Sequence, residues 1–204
     1  MTIFHLVRHG ETVWHERNRY AGVSDIELTA AGHQQAKALG RWAQHNPIDQ
    51  LFASPLRRAL ETAKPASQSS GLEIRVDAGL REVNFGAGEG LTRGEMAGQF
   101  PRALERFLAE PAENPLPDGE RGVDAIARAR SVITGIADAH PEDVVMIVAH
   151  STLLRLTLCS LLGINPNEYR RIFPRLVNVA LTTLEVTSEN VSLLSFNVPI
   201  APGG

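Results

Sequence analysis

The chain has 204 residues, 43% of them hydrophobic and 21% charged, which is enough for one well-buried core. A net charge of −3 argues against bulk binding to nucleic acid or to an anionic membrane surface, both of which call for a basic face. One cysteine excludes an intrachain disulfide, and no apolar run approaches the ~20 residues of a membrane-crossing helix.

The pattern alternates strand and helix. IFHLV near the start reads as a buried strand, and charge at Arg8 cuts it short of a secretory apolar segment, so a cytoplasmic chain is expected. Residues 28–45 carry a helical stripe of Ala36, Leu39 and Ala43, with Thr29 as N-cap. A short strand from Asp49 leads into a helix entered by Pro55 and crossed by Pro65. LEIRVD, near 72–77, alternates as a half-exposed strand does, and LREVNFGAGEGLTRGE holds too many glycines for a regular element. Residues 92–118 read as a helical excursion closed by a proline-rich segment. Residues 119–140 read as a long helix. Residues 144–149 form an unbroken apolar run, the mark of a strand buried on both faces. A helix follows to Gly163, with Cys159 as a core thiol, and two strands near 176–198 read as a hairpin. The expected fold is α/β, a sheet covered by helices on both faces in a single domain over residues 1–204.

Two of these strands end alike. HLVRHGET and MIVAHSTLLR each deliver a histidine at the carboxyl end of an apolar run, where open α/β sheets bind ligands. A third strand runs into SPLRRALET, whose adjacent Arg57 and Arg58 cannot share a helix face, so one faces a crevice while the other is solvated. Glu82 and Glu89 lie in the glycine-rich segment, which can approach a ligand closely. Arginines that fork onto phosphate oxygens, a nucleophilic imidazole and a carboxyl proton donor make a coherent kit for phosphoryl transfer.

The same residues carry a resemblance. Leu6-Val7-Arg8-His9-Gly10-Glu11-Thr12 resembles the signature of the histidine phosphatase superfamily, also called the phosphoglycerate mutase-like family. SPLRRALETA, LREVNFGAGEG and VAHSTLLR resemble its further segments, in order. RYAGVSDIELTAAG follows its spacing of Gly22, Asp25, Leu28, Thr29 and Gly32. The resemblance implies a three-layer α/β/α sandwich around a mostly parallel sheet and a metal-free, cofactor-free phosphohistidine mechanism. His9 would attack phosphorus, and Arg8, Arg58 and His150 would hold its oxygens. Glu82 would protonate the leaving alcohol. His15, Ser151 and Gly22 complete the implied substrate contacts. The implied partner is a small phosphorylated metabolite.

Four positions depart from the family pattern. His15 replaces an asparagine amide; it either donates a hydrogen bond to phosphate or turns outward. Ser151 replaces glycine and keeps the backbone N–H. Gly88 replaces an aromatic residue, which opens space or loosens the loop. Arg121 replaces serine; it is expected in solvent, with a substrate carboxylate as the alternative. Arg170, Arg171 and Arg175 read as a solvated basic patch, and Trp14 and Trp42 as core or pocket rim. His5, His33, His45 and His140 show no metal-ligand spacing.

Within the family, NFGAGEGLT resembles the phosphatase branch, and residues 92–118 lack the longer substrate-binding insertion of the glycolytic mutases. A phosphomonoesterase is therefore expected, with a mutase-type phosphoryl transferase as the alternative and a silent phosphate-binding module as a third reading. The late strands offer an edge for a homodimer.

Overall fold

The computed structural model describes residues 1–200 and places six strands in one sheet, ordered β3-β2-β4-β1-β5-β6. These are β1 (Thr2–Arg8), β2 (Gln50–Ala53), β3 (Ile74–Val76), β4 (Val144–Ala149), β5 (Ala180–Val186) and β6 (Val191–Pro199). β3, β2, β4 and β1 run parallel, while β5 pairs antiparallel with β1 and β6 antiparallel with β5. The expected α/β class and mostly parallel sheet are therefore observed. The late hairpin extends the sheet beyond β1.

The strand pleat sorts the core into two halves. Val7, Leu51, Ala53, Met146 and Val148 pack with Leu39 and Ala43 of α1 (Ala30–His45) and with Ala59, Ala63 and Ala66 of α2 (Arg57–Ser70). Phe4, Leu6, Phe52, Val145 and Ile147 face the other way. They pack with Ala129 and Ile133 of α5 (Gly122–Ala139) and with Leu153 and Leu156 of α6 (Ser151–Leu161). The helices α3 (Arg93–Gln99) and α4 (Pro101–Ala109) come from the expected excursion. They send Met96, Leu104 and Phe107 into that same second half. A one-turn helix, α7 (Tyr169–Ile172), adds Tyr169 to it.

Helix ends follow local chemistry. The Thr29 hydroxyl accepts from the Gly32 amide, as an N-cap should, and Gly71 ends α2 at φ 74°, where a side chain would be strained. Thr92 and Glu95 form a reciprocal capping box on α3. Among the described residues, no helix is long and apolar enough to cross a membrane.

The chain leaves β1 toward α1 on one face and leaves β4 toward α6 on the other. Adjacent parallel strands whose connections depart to opposite faces leave a crevice at their carboxyl ends. Arg8-His9 and Ala149-His150 stand at that point.

Candidate active site

β1 ends at Arg8, and the His9 amide still donates to the Ala149 carbonyl at 3.0 Å, so both histidines sit at one level. Their ring centroids are 5.1 Å apart. Gly10 then turns the chain away. Its amide donates to the Thr62 hydroxyl at 2.9 Å, and a Cβ there would lie 2.8 Å from the Gly32 carbonyl oxygen. This close approach is what requires a glycine after the histidine.

His9 is 5% exposed, and its Nδ1 lies 2.7 Å from the Gly10 carbonyl. A carbonyl only accepts, so Nδ1 carries the proton and Nε2 keeps its lone pair. Burial, then the charges of His150, Arg58 and Arg8, hold His9 well below the usual histidine range. The imidazole is neutral at physiological pH. His150 is fully enclosed, with Nε2 2.7 Å from the Ser54 hydroxyl, and burial followed by Arg58 also keeps it neutral.

The two arginines are anchored through their terminal nitrogens. Arg8 donates from Nη1 to the Leu176 carbonyl at 2.6 Å and from Nη2 to His15 Nε2. Burial lowers Arg8 to about 10, which leaves it charged. Arg58, 0% exposed, donates to the carbonyls of Ser24 (2.8 Å) and Gly22 (2.6 Å). Arg57 is exposed and pairs with Glu61 at 2.7 Å, so the expected division between the two neighbours is observed. Arg8 Nε, Arg58 Nε and His150 Nδ1 are buried without a hydrogen-bond partner among the described residues. Three orphaned polar groups around one imidazole are costly unless a polar ligand meets them.

Glu82 is 4% exposed and caps α6. Its carboxylate accepts from the amides of Thr152 (2.9 Å), Leu153 (2.8 Å) and Val83 (2.9 Å). Arg128 of α5 holds the supporting loop by donating to the carbonyls of Gly79, Arg81 and Glu82 while paired with Glu120 at 2.8 Å.

Several expectations need correction. His15 does not turn outward; it borders the cavity and stands against Arg8. Its Nε2 accepts from Arg8, because a guanidinium can only donate, and its Nδ1 lies 2.9 Å from the Thr12 amide and 2.8 Å from the Thr12 hydroxyl. Burial and then Arg8 press its pKa down to about 4. Gly22 does not line the cavity. Its amide donates to Glu89 at 3.0 Å, and a Cβ would lie 2.0 Å from Glu89 Oε1. Glu89 is likewise a loop anchor, accepting from Gly22, Val23, Ser24 and Phe85. Gly88 opens no space, since Leu116 and Met96 fill the volume an aromatic ring would take. Arg121, by contrast, is at the surface as expected, paired with Glu113.

His9, Arg8, Glu82, His15 and Ser151 border one cavity of about 970 Å³, while Arg58 and His150 lie behind its wall. Trp14 is on the rim; Trp42 packs edge-on against His5 instead. Sequence reasoning missed Arg155, Tyr20, Arg93 and Asn178. Arg155 follows Ser151 by four residues and so shares its helix face, a signal that was available. Asn178 donates to the His9 carbonyl at 2.7 Å from across the sheet, and no local pattern announces it. Arg170 also lines the cavity, contrary to the expected solvated patch. Among the described residues, no group of three or more His, Cys, Asp or Glu side chains could hold a metal ion.

Comparison with known proteins agrees with this geometry. The profile of the histidine phosphatase superfamily (branch 1) matches residues 4–199. Phosphoserine phosphatase 1 of Hydrogenobacter thermophilus is 27% identical over 164 residues, 80% of this chain and 78% of that protein. Mycobacterial glucosyl-3-phosphoglycerate phosphatase, solved in complex with VO3, superposes with a TM-score of 0.88 at 27% identity, covering 96% of this chain and 99% of that one. The phosphoserine phosphatase of Entamoeba histolytica, solved with 3-phosphoglyceric acid, gives 0.85 at 29% identity over 97% of both chains.

Proposed function

Because the chain belongs to the histidine phosphatase superfamily, we propose that it is a phosphomonoesterase that cleaves small phosphate esters through a phosphohistidine on His9. The observation that carries this reading is the His9 tautomer. The Gly10 carbonyl accepts a hydrogen bond from Nδ1–H, so Nε2 is unprotonated and carries the lone pair that can attack phosphorus.

The steps follow from the donors. Arg8 Nε, at the cavity, and Arg58 Nε and His150 Nδ1, reached as phosphate enters past the wall that covers them, would meet the phosphoryl oxygens and offset the charge that spreads over them in the transition state. His9 Nε2 attacks phosphorus as the ester P–O bond breaks. The leaving alkoxide takes a proton from Glu82, which borders the same cavity. Glu82, now a carboxylate, draws a proton from water as the water oxygen attacks phosphorus. The P–N bond breaks, and phosphate leaves with His9 neutral again. The Thr152 and Leu153 amides hold the Glu82 carboxyl group at the head of α6 in both protonation states. The phosphoserine and glucosyl-3-phosphoglycerate named for its relatives fix the size class expected of the substrate. One enclosed thiol, Cys159, raised to about 11 by burial, fits the cytoplasmic location this reading includes.

The test is phosphate release from a panel of phosphorylated metabolites, with EDTA and vanadate, by wild type and His9→Ala. Release by wild type alone, insensitive to EDTA and blocked by vanadate, is expected. Turnover by His9→Ala near the wild-type rate refutes the nucleophile. Quenching wild type in alkali should trap an alkali-stable, acid-labile phosphoprotein.

A further inference from the structure

The cavity is far more basic than its chemistry at phosphorus requires. On a chain of net charge −3, six arginines border it and Glu82 is its one carboxylate. Arg8 is accounted for at the phosphoryl site, Arg17 is exposed to solvent, and Arg19 is neutralised by Glu95 at 2.8 Å. Arg93, Arg155 and Arg170 have no carboxylate within salt-bridge distance among the described residues.

Those three are built into an aromatic frame. The Arg170 guanidinium carbon lies 4.8 Å from the ring centroids of both Phe107 and Tyr169. Arg155 lies 4.7 Å from the same Tyr169 ring. Tyr169 is 1% exposed, and Arg155 and Arg170 are close enough for each to feel the other's charge. Arg93 donates from Nε to the Tyr20 hydroxyl at 3.2 Å, and Tyr20 packs edge-on against Phe107. Stacking occupies the flat faces of Arg155 and Arg170 and fixes their planes. Their edges are only partly used. Arg155 spends Nε and Nη1 on the carbonyls of Ser151 and Phe173, and Arg170 spends Nη1 on Phe107 at 3.5 Å. Among the described residues, Arg155 Nη2, Arg170 Nε and Nη2 and both terminal nitrogens of Arg93 make no hydrogen bond.

Two like charges held beside one ring repel each other, and a fold keeps that arrangement at a cost unless an anion joins them. We propose that Arg170 and Arg155, with Arg93 at the rim, form a second anion site in the cavity, and that the substrate is a phosphate ester carrying another anionic group, a carboxylate or a second phosphate. This rests on the phosphomonoesterase reading for the first anion. The scissile phosphate would sit at His9, and the second group would be held at the far wall, orienting the ester oxygen toward Glu82. Neutral and cationic esters gain nothing from that wall.

The test compares matched esters: 3-phosphoglycerate and a propanediol bisphosphate against glycerol 3-phosphate and phosphoethanolamine, with p-nitrophenyl phosphate as the reference for folding and chemistry. Wild type should favour one or both doubly anionic esters in kcat/KM, and which of the two identifies the second group. Arg170→Met keeps the stacked, apolar body and removes the charge. It should lower kcat/KM on the favoured ester about 10- to 100-fold, mostly through KM, and leave p-nitrophenyl phosphate within about twofold. Arg170→Lys should recover part of the loss. Equal treatment of the matched esters by wild type, or equal losses of Arg170→Met on all substrates, overturns the second site. If wild type hydrolyses none of these, the phosphatase reading fails, and calorimetric binding decides this one separately. Tighter binding of 3-phosphoglycerate than of glycerol 3-phosphate that Arg170→Met abolishes supports the site; equal binding overturns it.

Discussion

The Ser54 hydroxyl lies 2.7 Å from His150 Nε2, and both side chains are fully enclosed. Ser54 follows the last residue of β2, Ala53, and His150 the last residue of β4, Ala149. The pair therefore ties two neighbouring strands together at the level of the site. With Nε2 committed to Ser54, the remaining nitrogen of His150, Nδ1, is the one left for a phosphoryl oxygen.

Ser54→Ala therefore leaves a buried imidazole with neither nitrogen partnered. The expected outcome is a stability loss of about 1–3 kcal/mol in urea unfolding and a fall in kcat of about 10-fold, since the ring loses its orientation. Unchanged kcat in a stably folded Ser54→Ala would show that His150 is positioned by packing alone.

Glu82→Gln separates proton donation from structure. The amide cannot accept on both ends, so one of the Thr152 and Leu153 amides faces a donor and α6 frays at its start. Turnover of alkyl phosphates should fall about 10²- to 10⁴-fold, and turnover of p-nitrophenyl phosphate much less, because its leaving group needs no proton. A flat dependence on leaving-group pKa in wild type and variant alike would remove Glu82 from the proton path.

The pH dependence has a fixed sign. His15 titrates near 4 in the folded chain, against 6.5 unfolded, so the unfolded chain binds the extra proton first as pH falls. Its contribution to stability is complete above pH 6.5 and is lost as the pH drops toward 4, where the loss levels off. His9 and His150 shift in the same direction and add to the slope. Urea midpoints should fall between pH 6.5 and 4, less steeply in His15→Asn, whose side-chain oxygen can still accept from Arg8. A profile unchanged by His15→Asn would mean that His15 is exposed in solution. Since His9 must be neutral to attack, kcat/KM should hold below pH 6.5 before its acid limb begins.

Gly22→Ala probes the loop that holds Arg58. The added Cβ meets Glu89 Oε1 at 2.0 Å and the Val83 carbonyl at 2.4 Å. Residues 21–24, whose carbonyls grip Arg58, must then shift. We expect a loss of about 1–3 kcal/mol in stability and a raised KM for every phosphate ester, because a loosened Arg58 affects the group all of them share. Normal KM values would show that the loop moves without Arg58.

What the sequence made legible were the features that depend on neighbours along the chain. Val144 to Ala149 needed no partner to look like a buried strand, and the His9 and His150 endings followed from where such strands stop. Adjacency showed that Arg57 and Arg58 must face different ways, and the resemblance, not the spacing, assigned the inward one to Arg58; its burial comes from the 21–24 loop folding over it. The far wall was illegible because its parts come from four places: Arg93, Phe107, Arg155 and the single turn holding Tyr169 and Arg170. One turn shows no periodicity, and a cation beside an aromatic ring looks the same in sequence as a solvated one. His15 was misjudged for a related reason. Its type suggests a donor, and only the approach of Arg8 makes it an acceptor.

β1, which ends beside the proposed nucleophile His9, precedes the other five strands of the sheet, yet it lies inside it, between residues 144–149 and 180–186. Neither neighbour exists until most of the chain has been made. During synthesis, His9 therefore leaves the ribosome long before its pocket can close around it, and no nascent chain ending before residue 180 can be active. Assembly of the centre waits on the longest-range contacts in the fold, which are the slowest to form. Turnover that appears during refolding should accordingly be a marker of the final step, not of early helix formation.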